Sequence, residues 1–209
     1  MSNSKENPWI EGIKTVGLSV VLAVGIRQFV AEARYIPSGS MLPTLQINDR
    51  LIIDKLGYKF GDPQRGDIIV FNPTEALSAT YKDAFIKRIV GLPGERLEVR
   101  NGRVYVNGKP LEEKYVASVS NPEVPVDANS QHQLTEIEDC PRNMRFLDKP
   151  VTVPPESYLV MGDNRKHSYD GRCWGFVPRE KIIGRAVLRF WPFNTLGGLD
   201  ESPIYPQNN

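Results

Sequence analysis

The sequence has few of the residues that hold metals or build disulfide frameworks. Its 209 residues include two cysteines and two histidines. Cys140 and Cys173 are too far apart for a CxxC redox motif or a zinc site, and His132 and His167 lie apart from any cluster of ligands. The sequence therefore implies no metal and no cofactor. The two cysteines either form one disulfide, if the domain lies outside the cytoplasm, or remain unpaired thiols.

The chain also lacks an excess of charge of one sign. Its 26 basic and 25 acidic residues give a formal net charge of +1 at pH 7. A nucleic-acid-binding protein usually has a clear basic excess, so this balance argues against a nucleic-acid partner. The 40% of hydrophobic and 24% of charged residues are ordinary for a globular protein, which excludes a chain that is disordered throughout.

One long apolar run, residues 13–31, stands out from this composition. A removable signal peptide would need a small-x-small cleavage site after the run, and residues 31–33 (AEA) are the nearest match. A buried core helix is a second interpretation, because the uncharged stretch 15–26 is shorter than the roughly 20 residues that a membrane span prefers. The run is apolar on all sides, which favours a membrane anchor. We therefore expect a transmembrane helix over 13–31 after a short tail, residues 1–12.

After residue 34 the sequence lacks helical periodicity and alternates with a period of two. This alternation predicts strands over residues 50–55, 67–71, 85–90, 96–100, 103–106, 158–161 and 182–190. Two Asn-Gly pairs, at 101–102 and 107–108, are typical of tight hairpin turns. We expect a mainly β fold of antiparallel sheets over 34–209, with a second small β region or insertion at about 97–155.

Residues 37–44 (PSGSMLPT) place two serines on either side of a glycine, shortly after the apolar run. Gly39 would let the backbone come close to a ligand, and the flanking prolines would fix the loop. A serine held in this way would offer its hydroxyl and its own N–H to a substrate carbonyl. An ordinary turn is the alternative, since serine, glycine and proline dominate turns.

The predicted strand 85–90 carries a lysine between apolar neighbours. Phe85, Lys87 and Ile89 would share one face of the strand. Burial there would lower the pKa of Lys87, because desolvation disfavours the ammonium, and a lysine general base needs a lowered pKa at neutral pH. The alternative is a lysine at a sheet edge that deters edge-to-edge pairing.

Residues 161–172 (MGDNRKHSYDGR) form a polar segment directly after a predicted strand. The alternation of Asp163 with Arg165, and of Asp170 with Arg172, predicts ion pairs that brace a tight loop. A polar hairpin on the surface is the alternative interpretation.

Taken together and in this order, the motifs resemble those of the type I signal peptidases, or leader peptidases, which use a serine/lysine dyad. The resemblance covers nearly the whole chain: the apolar run, SGSMLPTL, RGDIIVF at 65–71, FIKRIVGLPGE at 85–95 and MGDNRKHSYDGR. The stretch FVAEARYIPSGSMLPTL looks especially like the cyanobacterial and chloroplast-thylakoid branch. The resemblance implies an antiparallel β-sheet catalytic domain of signal peptidase type with one N-terminal transmembrane helix.

The resemblance also implies roles for single residues. Ser40 would be the nucleophile and Lys87 its general base. Ser38 would add a side-chain donor to the oxyanion hole beside the Ser40 N–H, and Ser168 would orient the lysine amine. His167 is adjacent to Ser168 and would point the opposite way in extended backbone, so we expect it not to act as the base.

Asp170 and Arg172 match the pair that braces the third motif in the family. Positions that line the shallow pockets for small substrate side chains are matched by Ile36, Leu51, Val70 and Ile86. The chain departs from the family at Lys166 and His167, where acidic and amide residues are common, so the local charge of this loop stays open.

The function implied by the resemblance is that of a membrane-bound serine endopeptidase. It would remove N-terminal signal peptides from secreted precursors after small-x-small, A-x-A-like sites. Its partners would be these precursors and membrane lipid, with no nucleic acid and no metal. We expect a single-pass protein of the cell membrane or thylakoid membrane, with the catalytic domain on the extracytoplasmic side.

Two other functions compete with this one. A self-cleaving repressor uses the same dyad but would have a DNA-binding helical domain in place of the apolar run. A non-enzymatic, membrane-tethered β module would be favoured only if Ser40 or Lys87 were missing, and both are present.

Overall fold

The structure is a computed structural model that describes residues 8–100, 102–116, 146, 147 and 149–199. Its first element is helix α1, Pro8–Phe29. Residues Trp9–Phe29 are long and apolar enough to cross a membrane, and none of them is buried against the rest of the chain. The interpretation as a buried core helix is therefore wrong. The helix begins at Pro8, five residues before the predicted run, because proline has no N–H to lose in a first helical turn.

The remaining elements are mostly strands. In chain order they are β1 Ala31–Tyr35, β2 Arg50–Asp54, β3 Ile68–Phe71, β4 Phe85–Gly91, β5 Arg96–Arg100, β6 Arg103–Val106, β7 Lys109–Pro110, β8 Val151–Thr152, β9 Ser157–Met161, β10 Val177–Pro178, β11 Ile182–Trp191 and β12 Gly197–Gly198. Three four-residue helices interrupt them: α2 Gly57–Phe60, α3 Glu75–Ser78 and α4 Gly171–Trp174. Single 3-10 turns lie at Gly39–Met41, Arg179–Lys181 and Phe193–Thr195.

The strands form two antiparallel sheets. The larger has the order β1-β2-β11-β3-β4-β9-β10, with β12 added on β11. The smaller has the order β7-β6-β5-β8. All seven predicted strands are present, and the mainly β, antiparallel fold class is confirmed. The prediction missed β1 because most of its side chains are exposed, so no apolar alternation marks it.

Three apolar clusters fill the core. One packs between the two sheets around Val90, Leu97, Val104, Leu159 and Met161. The other two lie against the larger sheet, and β4 contributes to both: Phe85 and Ile89 belong to one, Ile86 to the other. Strand alternation therefore directs neighbouring residues of β4 into different surroundings.

Helix α1 passes almost directly into the larger sheet. Only Val30 separates it from β1, and β1 pairs with β2 from Ala31 opposite Asp54 onward. The Lys55 N–H donates to the Val30 carbonyl over 2.9 Å, and Lys55 Nζ donates to the Arg27 carbonyl over 3.4 Å. Lys59 Nζ lies 5.4 Å from the centre of the Phe29 ring. The end of the helix is thus bonded to the sheet domain.

Much of the predicted insertion at about 97–155 lies outside the described residues, which end at 116 and resume at 146. Asn101, in the first predicted hairpin turn, lies outside them as well. Cys173 is buried and disulfide-bonded, whereas Cys140 is not among the described residues.

Candidate active site

Ser40 lies in a 3-10 turn that directly precedes the core residue Met41. The turn Gly39–Met41 is closed by a hydrogen bond of 3.2 Å from the Leu42 N–H to the Gly39 carbonyl. Ser40 is 9% exposed and Met41 is fully buried. Anchoring of Met41 in the core holds the serine at a fixed place near the surface.

The structure brings Ser40 together with Lys87. Lys87 Nζ lies 2.8 Å from Ser40 Oγ and donates to the Ile86 carbonyl over 3.0 Å. Lys87 is 4% exposed. Lys87 lies on β4, opposite Ile69 of β3. Because β4 lies between β3 and β9, the interpretation as a sheet-edge lysine is wrong.

Burial lowers the pKa of Lys87 to about 8. The charges of Asp170 and Asp163 act in the opposite direction, and the charge of Arg172 adds to the lowering. Desolvation prevails because, among the described residues, the amine hydrogen-bonds a hydroxyl and a carbonyl but no carboxylate. At pH 7 about a tenth of Lys87 is therefore neutral, and the neutral fraction approaches half near pH 8.

Asn164, in the third motif, makes two hydrogen bonds to the Ser40 turn. Its backbone N–H donates to the Ser40 carbonyl over 3.1 Å, and its side-chain Nδ2 donates to the Gly39 carbonyl over 3.0 Å. The sequence prediction missed this residue, because an asparagine in a polar loop is most simply explained as a turn former. The only sequence signal was its position inside the third motif.

The alternation predicted an ion pair between Asp163 and Arg165, and this prediction is wrong, because Asp163 pairs with Arg88. The pair is bidentate, with Nε–Oδ1 at 2.9 Å and Nη2–Oδ2 at 2.6 Å, and the Thr44 hydroxyl donates to Oδ2 over 2.6 Å. The cause is register: Arg88 lies opposite Met161, so its guanidinium reaches the residues that follow β9. This pair ties the strand of Lys87 to the third motif and to the loop after Ser40.

Arg165 instead forms a bidentate pair with Glu113, at 2.8 and 2.6 Å. Burial alone would raise the pKa of Glu113, but the charge and hydrogen bonds of Arg165 outweigh it and lower the pKa. The guanidinium of Arg88 also stacks 4.0 Å from the centre of the Tyr115 ring. No sequence pattern marked Glu113 or Tyr115, which precede the region at 117–145.

Asp170 and Arg172 form a buried bidentate pair within the third motif. Nε–Oδ1 is 2.8 Å and Nη2–Oδ2 is 2.7 Å, and Asp170 also accepts from the Gly162 N–H over 2.9 Å. Burial would raise the pKa of Asp170, but Arg172 outweighs it and the pKa is lowered. Asp170 also caps α4 by accepting the Arg172 N–H.

Ser168 is buried close to this pair. Its hydroxyl helps to lower the pKa of Asp170, although no partner meets hydrogen-bond geometry with it. A Cβ on Gly162 would lie 2.2 Å from Ser168 Oγ and 2.4 Å from the Ser40 carbonyl oxygen, so only glycine allows these two segments to meet. The Ile86 carbonyl, rather than Ser168, bonds Lys87 Nζ, and the orienting role of Ser168 stays a prediction. His167 is exposed where Ser168 is buried.

The other predicted site residues lie around Ser40. Ser38 is exposed, in extended backbone at the start of the turn, without a side-chain capping bond. The predicted pocket residues meet in one apolar cluster with Met41; three are buried and the last is half-buried: Ile36, Leu51, Val70 and Ile86. Among the described residues, no group of three or more His, Cys, Asp or Glu could hold a metal ion.

Comparisons with known proteins identify the family of the chain. A family model described as "Signal peptidase, peptidase S26" matches residues 9–191. A signal peptidase I of Leptolyngbya laminosa is 55% identical over 203 residues, which cover 96% of this chain and 88% of that protein. A Synechocystis sp. protein described as "Probable signal peptidase I-2" is 53% identical over 197 residues, 94% of this chain and 79% of that protein.

A crystal structure of a signal peptidase I from Enterococcus faecalis V583 is 33% identical and covers 60% of this chain and 97% of that one, with a TM-score of 0.45. The family match alone includes the apolar helix and all three motifs. The resemblance read from the sequence is therefore confirmed, including the cyanobacterial branch. The chain belongs to the signal peptidase family, peptidase S26, and is a membrane-anchored serine peptidase that removes signal peptides from precursor proteins.

Proposed function

We propose that this chain cleaves signal peptides after small-x-small, A-x-A-like sites, with Ser40 as nucleophile and Lys87 as general base. The observation that carries the proposal is the 2.8 Å separation of Lys87 Nζ and Ser40 Oγ in a buried setting that lowers the lysine pKa to about 8. A nucleophile within hydrogen-bond reach of a base that is partly neutral at working pH is the arrangement that this chemistry requires.

In the first half of the reaction, neutral Lys87 takes the Ser40 proton as Oγ attacks the scissile carbonyl carbon. The tetrahedral intermediate collapses when the new ammonium gives its proton to the leaving amine, which leaves an acyl-enzyme. Neutral Lys87 then takes a proton from a water molecule that attacks the ester, and Ser40 regains its hydrogen. No other base is needed at any step.

The negative charge on the carbonyl oxygen would be stabilised by the Ser40 N–H and the Ser38 hydroxyl. Ser38 is exposed and its hydroxyl makes no capping bond, so it is available to a substrate. Loss of one such donor typically lowers the rate by about 10²–10³. Ser168 would orient the lysine amine, while Asp170 and Arg172 hold the loop that carries Ser168.

Specificity for small side chains would come from the apolar cluster beside the dyad. Val70 and Ile86 are directly paired on β3 and β4, and Ile86 adjoins the base. Ile36 and Leu51 belong to the same cluster and are buried, which leaves little room for a large substrate side chain. Shallow apolar pockets of this kind accept alanine and exclude bulkier residues.

The membrane anchor would be residues 13–31, within and just after α1, with the peptidase domain formed by residues 34–209. The catalytic domain would lie on the extracytoplasmic side of the cell membrane or thylakoid membrane, where precursors emerge. Removal of residues 1–29, which leaves β1 intact, should preserve cleavage of soluble peptides and strongly reduce processing of membrane-inserted precursors. Equal loss of both activities would contradict an anchoring role.

The dyad is tested with Ser40→Ala, Lys87→Ala and the double variant, using full-length protein in detergent and a precursor with an A-x-A site. Each single variant should abolish cleavage, and the double variant should be no worse, because a nucleophile and its base act as a unit. Matched controls are the exposed residues Ser78→Ala and Lys82→Ala, which should cleave normally. Near-normal turnover by Lys87→Ala would exclude the dyad, and mass spectrometry of the products would give the cleavage position.

A further inference from the structure

Asn164 holds the Ser40 turn from outside by bonding the carbonyls of two successive peptide groups. Asn164 Nδ2 donates to the Gly39 carbonyl over 3.0 Å, and the Asn164 N–H donates to the next carbonyl, that of Ser40, over 3.1 Å. The Gly39 carbonyl therefore accepts two hydrogen bonds, one from Asn164 and one from the Leu42 N–H at 3.2 Å. Both lone pairs of this oxygen are used.

The orientation of this carbonyl fixes that of another group. The Gly39 carbonyl and the Ser40 N–H belong to the same peptide bond, and this bond is trans, because the only cis bonds of the described residues precede Pro43 and Pro192. A trans peptide is planar, so its C=O and N–H point in opposite directions. A donor that holds the Gly39 carbonyl toward the third motif therefore turns the Ser40 N–H away from it.

Asn164 is itself rigidly held. The preceding residue, Asp163, is fixed by Arg88 and Thr44, and the Asn164 carbonyl accepts the His167 N–H over 3.1 Å. Gly162 packs against the Ser40 carbonyl so closely that a Cβ there would be 2.4 Å away. The backbone of Asn164 is therefore held by other residues, and its side-chain amide donates to the turn from a fixed position.

We infer that Asn164 is a positioning residue that sets the oxyanion hole, by holding the Gly39–Ser40 peptide so that the Ser40 N–H faces the substrate carbonyl. This rests on the proposed role of Ser40. The transition-state charge is stabilised best by donors that are oriented before the reaction, so a peptide free to rotate would lose catalysis without losing substrate affinity.

Two variants test the inference in the full-length protein. Asn164→Ala removes the side-chain donor, and Asn164→Asp replaces it with an oxygen that repels the Gly39 carbonyl at neutral pH. Both keep the backbone bond to Ser40. We expect kcat to fall about tenfold for Asn164→Ala and up to about a hundredfold for Asn164→Asp, which is the lower end of the effect of losing one oxyanion donor. KM should change little, and the exposed Asn72→Ala serves as the control.

The decisive readout is a pair of inhibitors with the same peptide sequence, one ending in an aldehyde and one in the corresponding alcohol. The aldehyde forms a hemiacetal with Ser40 whose oxygen occupies the oxyanion hole, while the alcohol uses only the side-chain pockets. Affinity for the aldehyde should fall by the same factor as kcat/KM, and affinity for the alcohol should stay unchanged. Equal loss for both inhibitors would indicate a merely structural role and overturn the inference, as would unchanged affinity for the aldehyde.

The wild-type protein separates this inference from the proposed function. If wild type forms no aldehyde adduct and Ser40→Ala still cleaves, the assignment of Ser40 is wrong, and the role of Asn164 falls with it. If wild type forms the adduct and Asn164→Asp forms it equally well, the dyad stands and only the role of Asn164 is excluded.

Discussion

Lys87 and Arg88 are neighbours on β4, but their side chains lie in chemically different surroundings. Both are buried, at 4% and 1% exposed. Lys87 contacts a hydroxyl and a carbonyl, and its pKa is lowered to about 8. Burial would also lower the pKa of Arg88, but hydrogen bonds and charge from Asp163 outweigh it and raise the pKa. Depth of burial therefore does not decide the charge of a cation in this protein; a carboxylate in direct contact does.

The two carboxylates whose charges raise the pKa of Lys87 illustrate the same point. Asp163 and Asp170 each raise the pKa of Lys87 at a distance, yet each is bound in a bidentate pair by an arginine of its own, Arg88 or Arg172. Arg172 compensates part of this negative charge, because its own charge lowers the pKa of Lys87. The Asp170–Arg172 pair thus has an electrostatic task in addition to bracing the loop.

The largest effect on the free energy of unfolding is expected from replacing Arg88. Arg88→Met leaves the Asp163 carboxylate buried without its partner, which should cost about 3–5 kcal/mol of unfolding free energy. Urea denaturation measures it. Arg185→Met, which removes an exposed pair with Asp67, should cost less than about 1 kcal/mol. Similar costs for the two variants would mean that the buried pair is not needed.

Replacing Lys87 should raise the free energy of unfolding, whereas replacing Arg88 should lower it. Lys87→Met should abolish activity, but it also removes an amine whose pKa falls from 10.5 to about 8 on folding, a penalty of up to about 3 kcal/mol. The unfolded state binds more protons than the native state between about pH 8 and 10.5, so wild type gains stability as the pH rises through that window. The stabilisation of Lys87→Met should be full below pH 8 and disappear above 10.5. A variant less stable than wild type at pH 7 would contradict this account.

A smaller effect, on the pH dependence of activity, should follow from changing the charges around Lys87. For wild type, kcat/KM should rise with pH and level off above about 8, because only neutral Lys87 is a base. Arg172→Gln leaves the charge of Asp170 uncompensated and should move this midpoint upward, which lowers activity at pH 7 by about tenfold for each pH unit. Arg100→Gln, on the exposed end of β5, is the control. A midpoint that stays in place or moves down would show that Arg172 acts through structure alone.

The smallest effect is expected for His167, which adjoins Ser168 in the third motif. His167 is exposed and Ser168, beside it, is buried. His167→Ala should therefore keep kcat/KM within about threefold of wild type. A loss of about a hundredfold, the scale of general-base catalysis, would assign the base to His167 and make the lowered pKa of Lys87 incidental.

The sequence predicted the features that depend on local pattern. Alternation identified seven of the strands, and the same alternation on β4 correctly separated Phe85 and Ile89 from Ile86. The order of the three motifs identified the family, although each motif alone also fits a turn, an edge strand or a surface hairpin. The meeting of Ser40 and Lys87 came from the resemblance and not from any pattern within the chain.

What the sequence could not give depends on register between distant strands. Asp163 selects Arg88 over Arg165 because β4 and β9 pair with Arg88 opposite Met161. The bonds from Asn164 to the Ser40 turn span more than a hundred residues of sequence. Glu113 was not recognised because a carboxylate before a polar stretch has no signature until Arg165 folds against it. Side-chain partners of this kind are fixed by tertiary structure, which a local pattern does not encode.

The one-residue connection between α1 and β1 also determines how the enzyme can move. The sheet begins at Ala31, and Lys55 bonds the last turn of the helix, so no hinge lies between them. We expect the catalytic domain to rotate with the helix about the bilayer normal, at the slow rate that lipid viscosity imposes. The Ser40 site then keeps a constant tilt and height above the membrane, and a precursor meets it by lateral diffusion and rotation in the plane of the membrane. Fluorescence anisotropy of a label on the domain would report the rotational correlation time of a membrane helix and not that of a free globule.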